Sequence, residues 1–263
     1  MSRTGFTRRE ILKGAAAAAG LAAAAPYVLT SAARGAEDAK AAADAKAAKD
    51  AKVGEAKAGE ALKPLFNGKD LTDWDGDPRF WSVKDGAITG LTTNQVPTQG
   101  NTFCVWRGGT PKDFEFHAMF RLENHNSGIQ FRSKTRDKWV MSGYQADMDE
   151  ANTYTGGLYE EGGRGVLALP GQKITIGADG KPKVTGAAAE PKDVKAAIKN
   201  KDWNDLVITA QGNHITLRLN GLVTVDATDD DEKRRAMEGL IGLQLHAGQP
   251  MKVQFKDITL KVL

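Results

Sequence analysis

An antiparallel β-sandwich is the fold this sequence predicts, on three observations. From Leu62 onward apolar and polar residues alternate, Gly and Asn punctuate the alternating runs, and helical periodicity is nearly absent. In the run 114–122, Phe114, Phe116, Ala118, Phe120 and Leu122 fall on one face, with Glu115, His117, Met119 and Arg121 on the other. Such a strand buries one face and leaves the other mostly polar. Ile129 and Phe131 alternate with Gln130 and Arg132 just beyond a turn at 123–126, so the two runs form a hairpin. Leu206 and Ile208 lead through Gly212-Asn213 to Ile215, Leu217 and Leu219. Asn220-Gly221 then turns the chain toward Val223 and Val225, since Asn-Gly between alternating runs is a strong hairpin signal. A last pair, 240–245 and 251–263, is joined through Gly248-Gln249-Pro250. Between 162 and 203 the Gly and Pro content predicts an ordered excursion with a small hairpin, 173–184, across Asp179-Gly180. Two short helices are expected, at 192–199 after Pro191 and at 230–237. About ten short strands with so little helix make two stacked sheets.

The sandwich occupies 62–263, because the first part of the 263-residue chain has a different composition. Residues 1–35 carry Arg8-Arg9, an Ala/Gly/Leu run and small residues near Ala33, the pattern of a twin-arginine export signal. The apolar run is shorter than the roughly 18 residues that cross a bilayer, so export with no stable membrane span after signal removal is expected. Residues 36–61 are almost wholly Ala, Lys, Asp, Glu and Gly with no apolar stripe, which is a spacer. Arg3, Arg8, Arg9 and Lys13 against Glu10 account for the whole formal charge of +3. The remainder is neutral and has no basic footprint for nucleic acid. The single Cys104 permits no intrachain disulfide, and no Cys/His spacing suits zinc.

Chemistry concentrates at Gly143-Tyr144-Gln145-Ala146-Asp147-Met148-Asp149-Glu150. On a strand, Tyr144, Ala146 and Met148 face the core while Gln145, Asp147 and Asp149 share the other face at intervals of about 6.6 Å. Such a row can hold sugar hydroxyls, bind a cation, or supply an acid and a base; equally, it is what any half-exposed strand shows. Gln130 with Arg132, and Gln244 with His246, form two further polar pairs, and together these strands make a polar groove. Tyr154, Tyr159 and Trp139 are candidate aromatic platforms for a sugar, and Glu115 and His117 join the groove if their sheet is the concave one.

Seven ordered stretches carry a resemblance. They are Leu65-Phe66-Asn67-Gly68-Lys69-Asp70-Leu71-Thr72-Asp73-Trp74, Trp81-Ser82-Val83-Lys84-Asp85-Gly86-Ala87-Ile88, Ser127-Gly128-Ile129-Gln130-Phe131-Arg132, Gly143-Tyr144-Gln145-Ala146-Asp147, Gly156-Gly157-Leu158-Tyr159-Glu160-Glu161, Asp202-Trp203-Asn204 and Leu243-Gln244-Leu245-His246. From Leu65 to Leu263 the chain resembles the 3-keto-disaccharide hydrolase domain family. The resemblance implies a concanavalin-A-like jelly roll and an extracytoplasmic role in sugar breakdown. Many members have Glu after the Tyr that here precedes Gln145. An amide neither takes nor gives a proton at useful pH, so Asp147 becomes the nearest candidate for that work.

An enzyme of this type would act on a glycoside oxidised at C3, where the ketone acidifies the C2 proton. It needs a base, a group for the enolate oxygen and a proton donor for the leaving oxygen. Asp147 or His246 is the expected base, Arg132 the enolate partner, and Glu160 or Glu161 the donor. Gln130, Gln145, Tyr159 and Gln244 would hold the substrate. A divalent cation on Asp147 and Asp149, with a loop carbonyl, is the alternative to Arg132. The rival reading is a non-catalytic, lectin-like module with carbohydrate as its partner. A laminarinase-type glucanase would need Glu-x-Asp-x-x-Glu on one strand, and Gln145 removes one carboxylate of its pair.

Overall fold

The computed structural model describes residues 62–263; the expected export signal with Arg8 and Arg9, and the expected spacer, lie outside the described residues. In chain order the first strands are β1 (Lys63–Pro64), β2 (Trp74–Asp75), β3 (Trp81–Lys84), β4 (Ala87–Leu91), β5 (Thr102–Trp106) and β6 (Phe114–Glu123). Next come β7 (Asn126–Asp137), β8 (Val140–Asp149), β9 (Leu158–Glu161), β10 (Gly165–Ala168), β11 (Gln172–Ile176) and β12 (Pro182–Ala187). Helix α1 (Pro191–Ala197) precedes β13 (Asn204–Gln211), β14 (His214–Leu219), β15 (Leu222–Asp229), β16 (Leu240–Leu245) and β17 (Lys252–Val262).

The predicted turns are where the hairpins close. Asn220 and Gly221 both have positive φ, 49° and 86°, the type I′ geometry whose twist matches the flanking strands β14 and β15. Asn124 and His125, at 63° and 64°, do the same between β6 and β7. The expected hairpin across Asp179-Gly180 is β11–β12. A ten-stranded sheet runs β12-β11-β15-β14-β13-β6-β17-β4-β3, with β1 beside β17, and a seven-stranded sheet runs β10-β9-β8-β7-β16-β5-β2. All pairings are antiparallel except β11 with β15. Between the sheets lies one apolar cluster. The alternating residues of β6, Phe114 to Leu122, meet Ile129, Phe131, Tyr144, Ala146 and Met148 of the other layer there.

Two departures from the sequence reading have physical causes. Of the two expected helices only α1 forms, with Pro191 in its first turn. In the stretch 230–237 the buried Asp231 instead pairs with Arg164 and Arg234, and the Asp230 N–H donates to the Ile176 carbonyl, which holds the chain in turns. Secondly, residues 126–133 of β7 are buried on both faces rather than one. Ile129 and Phe131 face the core, and the amide-bearing opposite face is covered as well.

Candidate functional site

Side chains directly opposite across an antiparallel pair share a face. Gly128 is opposite Asp147, Gln130 opposite Gln145 and Gly242, and Gln145 opposite Tyr159, so the outer face of the seven-stranded sheet collects these groups. Gln244 joins them by alternation with Gly242. Gln130, Gln145 and Gln244 are 0% exposed and Asp147 2%. Polar groups buried to this extent need partners, and they find them in one another. Gln145 Nε2 donates to Asp147 Oδ1 at 3.0 Å and to Gln244 Oε1 at 3.4 Å. Asn126 Nδ2 donates to Asp147 Oδ1 at 3.4 Å, and Gln130 Nε2 to Gln145 Oε1 at 3.5 Å. Gln244 Nε2 and Asn101 Nδ2 donate to Glu161 Oε2 at 3.2 and 3.4 Å.

The ladder therefore has a direction. Carboxylates at its two ends accept, so Asn126, Gln145 and Gln244 turn their NH2 groups toward them, and Gln130 donates to the oxygen this leaves on Gln145. This leaves the Asn126 and Gln130 carbonyl oxygens as buried acceptors without a donor. Both oxygens are buried, so the unmet demand within the ladder is for a donor, which a water or a sugar hydroxyl admitted to this face would supply. The backbone of Asp147 is pinned on both sides: its N–H donates to the Gly157 carbonyl and its carbonyl accepts from Gly156, each at 2.9 Å. Tyr154, Tyr159 and Val166 line a narrow slot with Asp147.

Beyond the last rungs stand two histidines. The type I′ turn after β6 presents His125 to His246, with ring centroids 4.5 Å apart. His246 Nδ1 lies 2.6 Å from the Ala247 carbonyl, which can only accept; Nδ1 therefore carries a proton, and Nε2 is the nitrogen that gains or loses one. The Ala247 N–H in turn donates to Asn101 Oδ1 at 3.0 Å, tying the histidine segment to the Glu161 end of the ladder.

Five expected site residues lie elsewhere. Arg132 does not reach the groove, because a register shift after Phe131 and a φ of +45° turn its side chain inward. With its side chain 1% exposed, its guanidinium donates to the carbonyls of Lys112 and Gly212 and to Asp113, a clamp onto the opposite sheet. Glu160 is opposite Tyr144 and faces inward, where it binds Arg164 at 2.5 Å. The neighbouring Glu161, opposite Gly143, takes the groove face. Asp149 is consumed by its loop: its carboxylate accepts from the backbone N–H groups of Thr153, Tyr154 and Thr155. With Asp149 so committed, the cation expected on Asp147 and Asp149 does not fit, and no group of three or more metal-ligating side chains occurs among the described residues. Glu115 and His117 pair with each other on the ten-stranded sheet.

The sequence reading missed Asn126 and Asn101. Asn126 was accessible by parity, two steps from Gln130 on one strand; Asn101 sits in a loop with no periodicity to mark it. It also missed Gly128, where a Cβ would lie 2.5 Å from the Gln145 side chain. Gly128→Ala should push Gln145 off Asp147 and, in the reaction proposed below, lower the turnover of a still-folded domain by up to about 10²-fold, the cost of a small misplacement in a reacting constellation. Normal turnover at an unchanged melting temperature would show that Gln145 does not position Asp147.

No curated protein matches the sequence. Among solved structures, a candidate glycosyl hydrolase from Parabacteroides distasonis matches with a TM-score of 0.52 and 19% identity, over 78% of this chain and 100% of its own. A second one from that organism matches with a TM-score of 0.50 and 19% identity, over 77% and 94%. A Bacillus subtilis protein of unknown function with a galectin-like fold matches with a TM-score of 0.52 and 15% identity, over 76% and 94%. At such identities the likeness concerns the fold. The family evidence is of another kind: the 3-keto-alpha-glucoside-1,2-lyase-like domain matches residues 61–261, most of the sequence, and the chain belongs to that family.

Proposed function

We propose that the domain cleaves 3-keto glycosides by elimination and rehydration on the outer face of the seven-stranded sheet. The observation that carries this reading is the ladder itself, which holds two carboxylates, Asp147 and Glu161, on one face. Asp147 removes the proton from C2, and the electron pair forms an enolate with oxygen at C3. The protonated His246 Nε2 donates to that oxygen, the role expected of Arg132 from sequence. As the ketone re-forms, a C1–C2 double bond develops and the C1–O bond breaks, with Glu161 protonating the departing oxygen. Water then adds its oxygen to C1 and loses a proton to Glu161, while Asp147 returns its proton to C2. The sugar leaves as the 3-keto hexose and both carboxyl groups are restored.

Release of aglycone from a chemically prepared 3-keto glycoside tests the reaction. Binding of the glycoside without release would make the domain a lectin-like module, whose polar floor only hydrogen-bonds a glycan. Export belongs to the same proposal, since Arg8-Arg9 ahead of the Ala-rich run is the twin-arginine pattern. Replacing both arginines by lysine should strand an unprocessed precursor in the cytoplasm; unchanged processing on an immunoblot would remove that part of the proposal.

A further inference from the structure

Beside the ladder opens a cleft of about 460 Å³, within the range of roughly 300–1,000 Å³ typical of small-molecule sites. Its lining includes Asp77, Arg79, Phe80, Asn101, Lys138 and Trp139. Asn101 belongs to both places, since it lines the cleft and donates to Glu161. Trp139 is the unusual member. It sits in the tight turn between β7 and β8 with φ +57°, a position that favours glycine and is costly for a bulky side chain. Strain of this kind persists where the surroundings over-determine it, and it clusters at ligand clamps. Here the indole N–H donates to Asp75 Oδ1 at 2.6 Å, and the Trp139 carbonyl accepts from the Phe103 N–H at 2.9 Å. Two bonds thus fix a half-buried aromatic plane at the wall of the cleft. The Lys138 ammonium lies 4.2 Å from the ring centroid and forms no ion pair among the described residues. Arg79, by contrast, is paired with Asp77 at 2.5 Å.

We infer that this cleft is the subsite for the sugar on the leaving side of the glycosidic bond, a second pyranose that packs on Trp139 and takes hydrogen bonds from Lys138. The inference rests on the proposed reaction for its orientation. Glu161 protonates the departing oxygen, so the leaving sugar emerges on the side of Asn101. An aromatic plane suits the C–H face of a pyranose, and an exposed ammonium supplies donors that the acceptor-rich floor lacks.

The test compares two probes, 3-ketomaltose and methyl 3-keto-α-glucopyranoside, of which only the first has a second sugar. In Trp139→Gly the ratio of kcat/KM for the disaccharide to that for the methyl glycoside should fall at least about tenfold, chiefly through KM. Trp139→Phe should restore most of the ratio by keeping a plane without the indole N–H, and Lys138→Ala should lower it by a few-fold. Glycine relieves the left-handed backbone, so Trp139→Gly should fold with a wild-type circular dichroism spectrum; if it does not, the Phe and Lys138→Ala variants carry the comparison. An unchanged ratio, or equal losses on both probes, overturns the subsite. Should the wild-type domain turn over neither probe, the reaction fails separately, and calorimetric binding of 3-ketomaltose decides for the cleft. Binding at least about tenfold weaker in the Trp139 variant upholds the cleft. Equal binding in both forms, or none in the wild type, rejects it.

Discussion

Asp147→Asn should lower turnover of a 3-keto glycoside by about 10²-fold or more, the usual contribution of a general base, while KM changes little. The substitution is unusually clean here. Two donors to Asp147, Gln145 Nε2 and Asn126 Nδ2, meet the same oxygen, Oδ1. An Asn placed with its carbonyl oxygen at that position keeps these two bonds and loses the capacity to accept a proton. The melting temperature should therefore stay close to wild type, which separates a chemical loss from a structural one. A lectin-like module predicts a different pattern. It shows no turnover in either form, and the substitution appears only as weaker binding, by about 1–3 kcal/mol for a lost charged hydrogen bond. His246→Gln is the companion measurement, because an amide keeps a neutral N–H donor but can neither gain nor release a proton there. Full activity in Asp147→Asn together with loss in His246→Gln would transfer the role of base to His246. Activity retained in both would place the reaction on another part of the molecule.

How much of this was legible beforehand depends on which side of a strand water reaches. β6 was readable because its two faces differ, the apolar one in the core and the polar one outside. β7 obeys the same parity up to Phe131, and Gln130 accordingly shares a face with Gln145. At Arg132 the parity breaks, through a shift in register and a positive φ that no glycine announces. Glu160 and Glu161 pose the same problem in smaller form. Adjacent carboxylates on a strand point to opposite faces, and only the pairing of β9 with Gly143 and Tyr144 decides which one meets the groove. Sequence alternation also could not say that the polar face is covered. That is a property of loops such as the one carrying Asn101, whose positions are set by tertiary contacts.

Arg164→Met should be strongly destabilising, with a loss of about 3–5 kcal/mol, the range for removing one partner of a buried ion pair. Arg164 is 7% exposed and joins three carboxylates: Glu160 at 2.5 Å, Asp229 at 2.7 Å and Asp231 at 3.4 Å. Despite burial, its bonds to Asp229 and Glu160 hold its pKa above the ordinary arginine value, so it stays charged. Tyr144 donates to Asp229 as well, and burial, reinforced by that bond, raises the phenol's pKa, keeping it protonated as a donor. Without the Arg164 side chain, the nearby acids retain Arg234, half-exposed and, among the described residues, paired with Asp231 alone, together with the neutral Tyr144 hydroxyl and the backbone N–H groups of Asp231 and of residue 164. At about 2–4 °C per kcal/mol for a domain of this size, the melting temperature should drop by about 10 °C. The pH dependence identifies the cause. A carboxylate stranded without its cation binds a proton more readily in the folded state than in the unfolded one, so its protonation favours folding as pH falls. The deficit of Arg164→Met relative to wild type should therefore be largest near neutral pH and shrink toward about pH 4–5. A deficit that is the same at pH 7 and pH 5 would mean that the arginine contributes by packing on the Tyr144 ring, whose centroid lies 5.7 Å away, and not by neutralising the acids.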